Sequence, residues 1–158
     1  MPIDQREFRA ALGHFATGIT VVTARAKNGE LLGITANSFN SVSLVPPLVL
    51  FSLDRRALSL AAFEEAGGFA INVLDDTQSD LSRNFARAMG DKWSGVDYEQ
   101  WETGSPILTS CLANFDCRTY AIHDGGDHRI FIGEVLRFSA QPEGNPLLYF
   151  RGGYAALK

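Results

Sequence analysis

The sequence has little of what marks secreted, membrane-spanning or nucleic-acid-binding chains. Cysteine occurs twice in 158 residues, as Cys111 and Cys117. On one strand the two would lie roughly 20 Å apart, beyond the reach of a disulfide, and their spacing lacks the close ligand pairs of a structural zinc site. Two reduced, buried thiols are expected. Basic charge is also scarce: 14 lysines and arginines stand against 18 acidic residues, a net charge of -4. A surface without an electropositive footprint is not expected to meet nucleic acid or a membrane. The longest apolar runs, such as Phe69 to Leu74, are far shorter than the roughly 20 residues of a spanning helix. The opening residues MPIDQREFRA carry charge where a secretory leader needs an apolar stretch, so a cytoplasmic chain is expected. Internal repeats are missing. So is a G-x-G-x-x-G after any strand, which disfavours a doubly wound nucleotide fold, and a G-x-S-x-G elbow, which with three scattered histidines disfavours nucleophilic hydrolysis.

What is present suits one domain over residues 1–158, with 46% hydrophobic content for its core. Asp4 with Glu7 forms a capping-box-like start to an amphipathic helix carrying Phe8, Leu12 and Phe15. Ile19 to Thr23 and Leu31 to Thr35 read as strands joined at an Asn28-Gly29 turn. After Pro46-Pro47 the run Leu48 to Leu53 predicts a strand buried on both faces. A helix over 57–66, a strand over 69–74, and a helix capped by Asp76 or Thr77 with Leu81, Phe85 and Met89 on its apolar face come next. Gly90 to Pro106 reads as an aromatic-rich loop. Leu112 to Ile122 alternates, predicting a half-exposed strand with Asn114, Asp116, Arg118 and Tyr120 outward, and strands over 129–138 and 147–150 complete the chain. Six or seven strands joined largely by hairpin turns, with a few short helices, predict a mainly β, antiparallel barrel.

The segment Gly33-Ile34-Thr35-Ala36-Asn37-Ser38-Phe39-Asn40-Ser41-Val42-Ser43-Leu44-Val45-Pro46-Pro47 places small polar residues between two apolar strands. By composition alone an ordinary polar loop accounts for it better than a binding segment does. Its order resembles the signature of the flavin reductase-like split-barrel family. The resemblance continues through Pro47 to Leu53, Phe69 to Leu74, Asn84-Phe85-Ala86, Gly126-Asp127-His128, Ile132 to Val135 and Pro146 to Phe150, and is nearest to the small reductase components of two-component aromatic monooxygenases. Val45 departs from the pattern, standing where an acidic residue often precedes the double proline.

That resemblance implies a split barrel that reduces FMN or FAD with NADH or NADPH and hands reduced flavin to a separate oxygenase. It implies that Thr35, Ala36, Asn37 and Ser38 lie along the flavin ring and ribityl chain, and that Ser52, Leu53, Ser59, Asn84 and Phe85 surround the ribityl and phosphate end. Arg55 and Arg56 either add charge there or form a solvated turn, and Phe85 taken by itself is better explained by helical core packing. His128 is the residue expected to position the nicotinamide, with Asp127 orienting its ring, and Tyr154 is expected to line the dinucleotide site or cover the barrel. The His123 to His128 turn admits a metal site by composition, but no metal is expected. Family members are generally homodimers; Trp93 to Trp101 then supplies either an interface or a cap on its own barrel. The rival reading is a non-catalytic flavin carrier, which has no use for a nicotinamide-facing histidine.

Overall fold

In the computed structural model, which describes residues 2–158, the Asp4 carboxylate accepts from the amides of Arg6 and Glu7 at 2.9 and 3.0 Å. It thereby caps α1 (Gln5–Leu12) as the sequence predicts. The helix ends at Gly13, leaving Phe15 beyond it, and Phe8, Leu12 and Phe15 are all exposed. Next come β1 (Thr17–Gly18), β2 (Thr20–Arg25), β3 (Leu31–Ala36), β4 (Asn40–Ser43) and β5 (Leu48–Asp54), then α2 (Leu60–Ala66), β6 (Gly68–Val73) and α3 (Ser79–Ala86). The rest of the chain forms β7 (Tyr98–Gln100), β8 (Pro106–Leu108), β9 (Ala113–Gly125), β10 (His128–Ala140), β11 (Leu148–Phe150) and β12 (Gly153–Ala155).

Seven strands make one antiparallel sheet in the order β3-β2-β6-β9-β10-β5-β4. In a flat sheet β5 and β6 would stand three strands, roughly 14 Å, apart. Yet the rings of Phe51 on β5 and Phe69 on β6 lie 4.9 Å centroid to centroid, and Phe131 on β10 stacks on Phe51 at 4.9 Å. The sheet therefore rolls around a core of Phe51, Phe63, Phe69 and Phe131 and stays open between its edge strands β3 and β4. Two irregularities in the β9–β10 ladder, at Ile132/Gly133 and Val135/Arg137, supply the bending. Gly133 is required at the first: a Cβ there would come within 2.5 Å of the Phe69 ring and 2.7 Å of Cys117 Cβ. The predicted mainly β, antiparallel split barrel with short helices is the fold observed.

The differences from the sequence reading are local. The polar segment after β3 contains the edge strand β4. α2 begins at Leu60, and α3 begins after Gln78, because Asp75 uses its carboxylate on Thr77 and Gln78 uses its side chain on the Asp75 amide. Met89 falls outside α3 and is exposed. Asn114 and Asp116, expected to point outward, are buried, whereas Arg118 and Tyr120 are exposed. The reason is a sealed polar cluster. Asn72 donates to Val21 O at 2.9 Å and accepts from Leu108 N and Asn114 Nδ2 at 3.0 and 2.8 Å, while Asp116 accepts from Thr103 N and Oγ1 at 3.0 and 2.5 Å. These bonds pin residues 103–108 on the sheet and turn the expected loop into the β7–β8 ribbon. Both cysteines are free and buried. Burial pushes the Cys111 thiol up to about 11 and that of Cys117 up to about 12.

Candidate functional site

A cleft of about 1490 Å³ runs along the open side of the roll. Its walls are β3 and the following residues to Ser38, the end of β5, the approach to α2, the segment 85–93, and single residues of β9 to β12. Thr35, Ala36, Asn37, Ser38, Ser52, Leu53, Ser59, Phe85, His128 and Tyr154 all line it, although they come from six separate stretches of sequence. Asn84 does not. Its amide donates to Lys92 O at 2.6 Å and accepts from Arg87 at 2.6 Å, so it shapes the 87–92 segment from behind.

Within the cleft the polar groups divide into those committed to the fold and those left free. Thr35 Oγ1 donates to Ser82 O at 2.5 Å, and the Thr20 hydroxyl donates to Ala36 O at 2.8 Å. Ser38 Oγ accepts from Ser52 N at 2.9 Å and lies 3.2 Å from Ser52 O, joining the end of β3 to β5 across the split. With its neighbours fixed, the Asn37 side chain is exposed and bonds to no other described residue. Tyr154 OH and Ser82 Oγ are 2.7 Å apart, and the Arg83 guanidinium lies 5.0 Å from the Tyr154 ring centre.

His128 opens β10, where its backbone pairs with Gly125 on β9 and Asp54 on β5. Its Nδ1 meets Asp127 Oδ1 at 2.7 Å. A carboxylate there makes Nδ1 the protonated nitrogen and leaves Nε2 available to a ligand. Arg55 secures this corner from outside the cleft: its amide donates to Asp127 O at 2.9 Å, Nε to Gly126 O at 2.8 Å, and its guanidinium pairs with Asp124 at 2.5 Å. Arg129 pairs with the same carboxylate. Arg56 does line the cleft, but Asp54 neutralises it at 2.9 Å, and the Arg56 hydrogen bonds hold the Asp54 carboxyl down to about 2. Among the described residues no three metal-ligating side chains gather.

Several cleft contacts have no counterpart in the sequence reading. Gly33 lets the Phe85 ring against β3; a Cβ there would meet that ring at 2.5 Å and Trp93 at 3.2 Å. Trp93 packs edge-on against Phe85 at 4.9 Å and Tyr98 at 5.5 Å, and Arg137 covers Trp101 at 4.3 Å. The aromatic stretch thus caps its own barrel. Phe85 is itself buried with Ile19, Val21 and Leu74, so it is a core residue whose edge reaches the cleft. Lys92 reaches back to Gly33 O at 3.2 Å and Phe85 O at 3.4 Å. No periodicity or turn signal marks Gly33, Ser82 or Lys92, because each acts through a contact with a distant segment.

The model of the flavin reductase like domain matches residues 12–158. The chain is 47% identical over 151 residues to an FMN reductase (NADH) SmoA of Agrobacterium fabrum, covering 96% of this chain and 85% of that protein. It is 42% identical over 156 residues to HsaB, the reductase subunit of a flavin-dependent monooxygenase of Rhodococcus jostii, covering 99% and 80% respectively. Among solved structures, the NADH:FAD oxidoreductase SgcE6 of Streptomyces globisporus, in complex with NAD and FAD fragments, superposes with a TM-score of 0.93 at 35% identity, covering 98% of this chain and 93% of that one.

Proposed function

The chain belongs to the flavin reductase-like family, and on that premise we propose that its cleft brings a flavin and a reduced nicotinamide dinucleotide into contact, making it an NAD(P)H:flavin oxidoreductase. One observation carries the assignment to this cleft: the roll gathers ten of the eleven expected flavin and nicotinamide residues on one surface, with the Asn37 amide and one His128 nitrogen left free beside the Thr35, Ser38 and Tyr154 hydroxyls that the fold already engages. A flavin fits that arrangement. The volume exceeds the roughly 300–1,000 Å³ of a single small-ligand pocket, and the free amide and backbone groups of 35–38 are donors of the kind a reduced ring's polar edge needs.

A flavin held by these residues would supply an electron-accepting ring, and a reduced nicotinamide dinucleotide the hydride. The protein holds the two partners at reacting distance and excludes water, so no side chain need act as an acid or base. Asn37 binds the ring edge, Ser38 keeps Asn37 in place through its bonds to Ser52, and the Asp127–His128 pair presents Nε2 to the nicotinamide. Anaerobic stopped-flow mixing with FMN or FAD and NADH tests the assignment. Protein-dependent bleaching of the oxidised-flavin band is the expected result, and tight flavin binding without bleaching would make the chain a carrier instead.

The reduced flavin then serves a separate oxygenase component, a reading supported by relatives named the reductase subunit or reductase component of flavin-dependent monooxygenases. We place the protein in the cytoplasm, consistent with its two free thiols and with no described helix long and apolar enough to cross a membrane. A homodimer is supported by an apolar face rather than by the tryptophan stretch. Leu44 and Val45 are 91% and 92% exposed beside Val42, Leu136 and Phe138, and the Phe39–Phe115–Phe138 stack joins that face to Ser38. Val45→Asp should turn a dimer into a monomer by light scattering.

A further inference from the structure

Outside the cleft, α1 and the turn between β11 and β12 enclose a second hollow of about 390 Å³, lined by Arg6, Arg9, His14 and Arg151 over the small residues Ala10 and Gly13. The Arg151 amide donates to Gly13 O at 2.8 Å and joins the two walls. Its guanidinium lies 5.0 Å from the Phe150 ring centre, and His14 Nδ1 faces Ala10 O at 3.0 Å. Among the described residues no acid lines the hollow. The nearest in sequence are Asp4, whose carboxylate is spent on the Arg6 and Glu7 amides, and Glu7 itself, and neither is paired with an arginine. Three guanidiniums without a carboxylate partner thus share one concavity, on a chain whose net charge is -4.

Local preference does not put them there. Arg6 stands in the first turn of α1, where the helix dipole disfavours a cation. Arg151 has φ +51° and Gly152 φ +78°, so the hairpin needs left-handed backbone at both positions, and an arginine occupies one where asparagine or glycine is least strained. Two positions that each go against a local rule and converge on one hollow point to a ligand rather than to the fold. Guanidinium forks match carboxylates, and three of them around a hollow match several carboxylates on one chain better than a single small anion. The same hairpin carries Tyr149 and Tyr154, which line the cleft. Resting on the reading that reduced flavin goes to a separate oxygenase, we propose that this hollow docks an acidic segment of that oxygenase, with carboxylates on Arg6, Arg9 and Arg151. The acceptor of reduced flavin is thereby held on the hairpin that walls the flavin cleft.

Fluorescence anisotropy of a labelled hexaglutamate peptide, titrated with the full chain, tests this. Hexaglutamate should bind, and more weakly as the ionic strength rises from about 0.01 to about 0.15 M. Arg6→Gln and Arg9→Gln should each raise its dissociation constant about fivefold, while flavin reduction by NADH stays within about twofold. Arg151→Asn should weaken the peptide to the same extent and leave Tm unchanged or higher, because asparagine suits the left-handed turn. A lower Tm with unchanged peptide affinity would make Arg151 a strut of the hairpin and overturn the proposal. So would displacement of hexaglutamate by an equal concentration of inorganic phosphate, which would mark a small-anion site. A changed oligomeric state of Arg9→Gln in light scattering would mark a subunit contact and overturn it too. If the wild-type protein does not reduce flavin, the oxygenase reading fails and the docking role fails with it, whatever the peptide does.

Discussion

Asn72 on β6 and Asn37 just past β3 are the same residue type in adjoining parts of one barrel, and their surroundings are opposite. Asn72 is fully buried, and both ends of its amide are bonded: to Val21 and Thr23 through nitrogen, and to Leu108 and Asn114 through oxygen. Asn37 is exposed in the cleft and bonds to no described residue. A polar cluster that satisfies itself is architecture, because every donor lost on burial is recovered inside the protein. A polar cluster whose hydroxyls are fixed while its amide stays free is prepared for a ligand. Gly33 stands between the two. It pairs across the sheet with Thr23, whose hydroxyl donates to Pro106 O at 2.6 Å and accepts from Asn72, and it carries the Phe85 ring on the cleft side.

The sharpest break of this contrast is Asn72→Ala. It strands the Leu108 amide in the interior, leaves Asn114 Nδ2 with Leu108 O as its remaining acceptor, and opens a small void, a loss of about 3 kcal/mol. For a chain of this size that lowers Tm by about 10 °C in a calorimetric scan. FAD affinity of the folded protein should stay within about twofold; a larger change would mean the sealed cluster also shapes the cleft. Gly33→Ala tests the residue between the regions. The methyl must displace the Phe85 ring and Trp93, costing about 2 kcal/mol of overpacking and, unlike Asn72→Ala, also weakening flavin binding. Thermal melts and flavin titration on the same sample separate the two effects.

The same contrast explains what the sequence reveals and what it hides. The strands β2, β3, β5 and β6 declare themselves through β-branched and apolar runs, and Asp4 and Asn28-Gly29 mark a helix start and a hairpin by local chemistry alone. The outward reading of Asn114 and Asp116 follows correctly from period two but fails because their partners, Asn72 and Thr103, are 42 and 13 residues away. β8 is held by that cluster rather than by its own propensity, so the stretch before it looks like loop. In the site, residue order in the 33–47 segment carries the family resemblance, and the cleft takes its first part, Gly33 to Ser38. Lys92 and Gly33 stay invisible because their importance is a contact, with the Phe85 carbonyl and the Phe85 ring respectively. Arg55, open in the sequence between a ligand cation and a turn residue, braces the turn that holds His128.

His128 and Asn37 test the open side of the comparison, and they should fail differently. His128→Ala removes the group that presents Nε2 but leaves the 35–38 segment intact. Flavin reduction by NADH should slow about tenfold in single-turnover stopped flow, with the FAD dissociation constant within about twofold. Lost FAD affinity with unchanged reduction would reverse the assigned role. Asn37→Ala has the smallest expected effect. It leaves no buried partner unpaired, because the wild-type amide bonds to nothing in the protein, so Tm should not move. What disappears is one hydrogen bond to the ligand, about 1 kcal/mol, or about a fivefold rise in the dissociation constants of FAD, FMN and riboflavin alike. Equal weakening of the three flavins locates Asn37 on the ring they share. A fall in Tm with unchanged affinities would instead put Asn37 in the same class as Asn72.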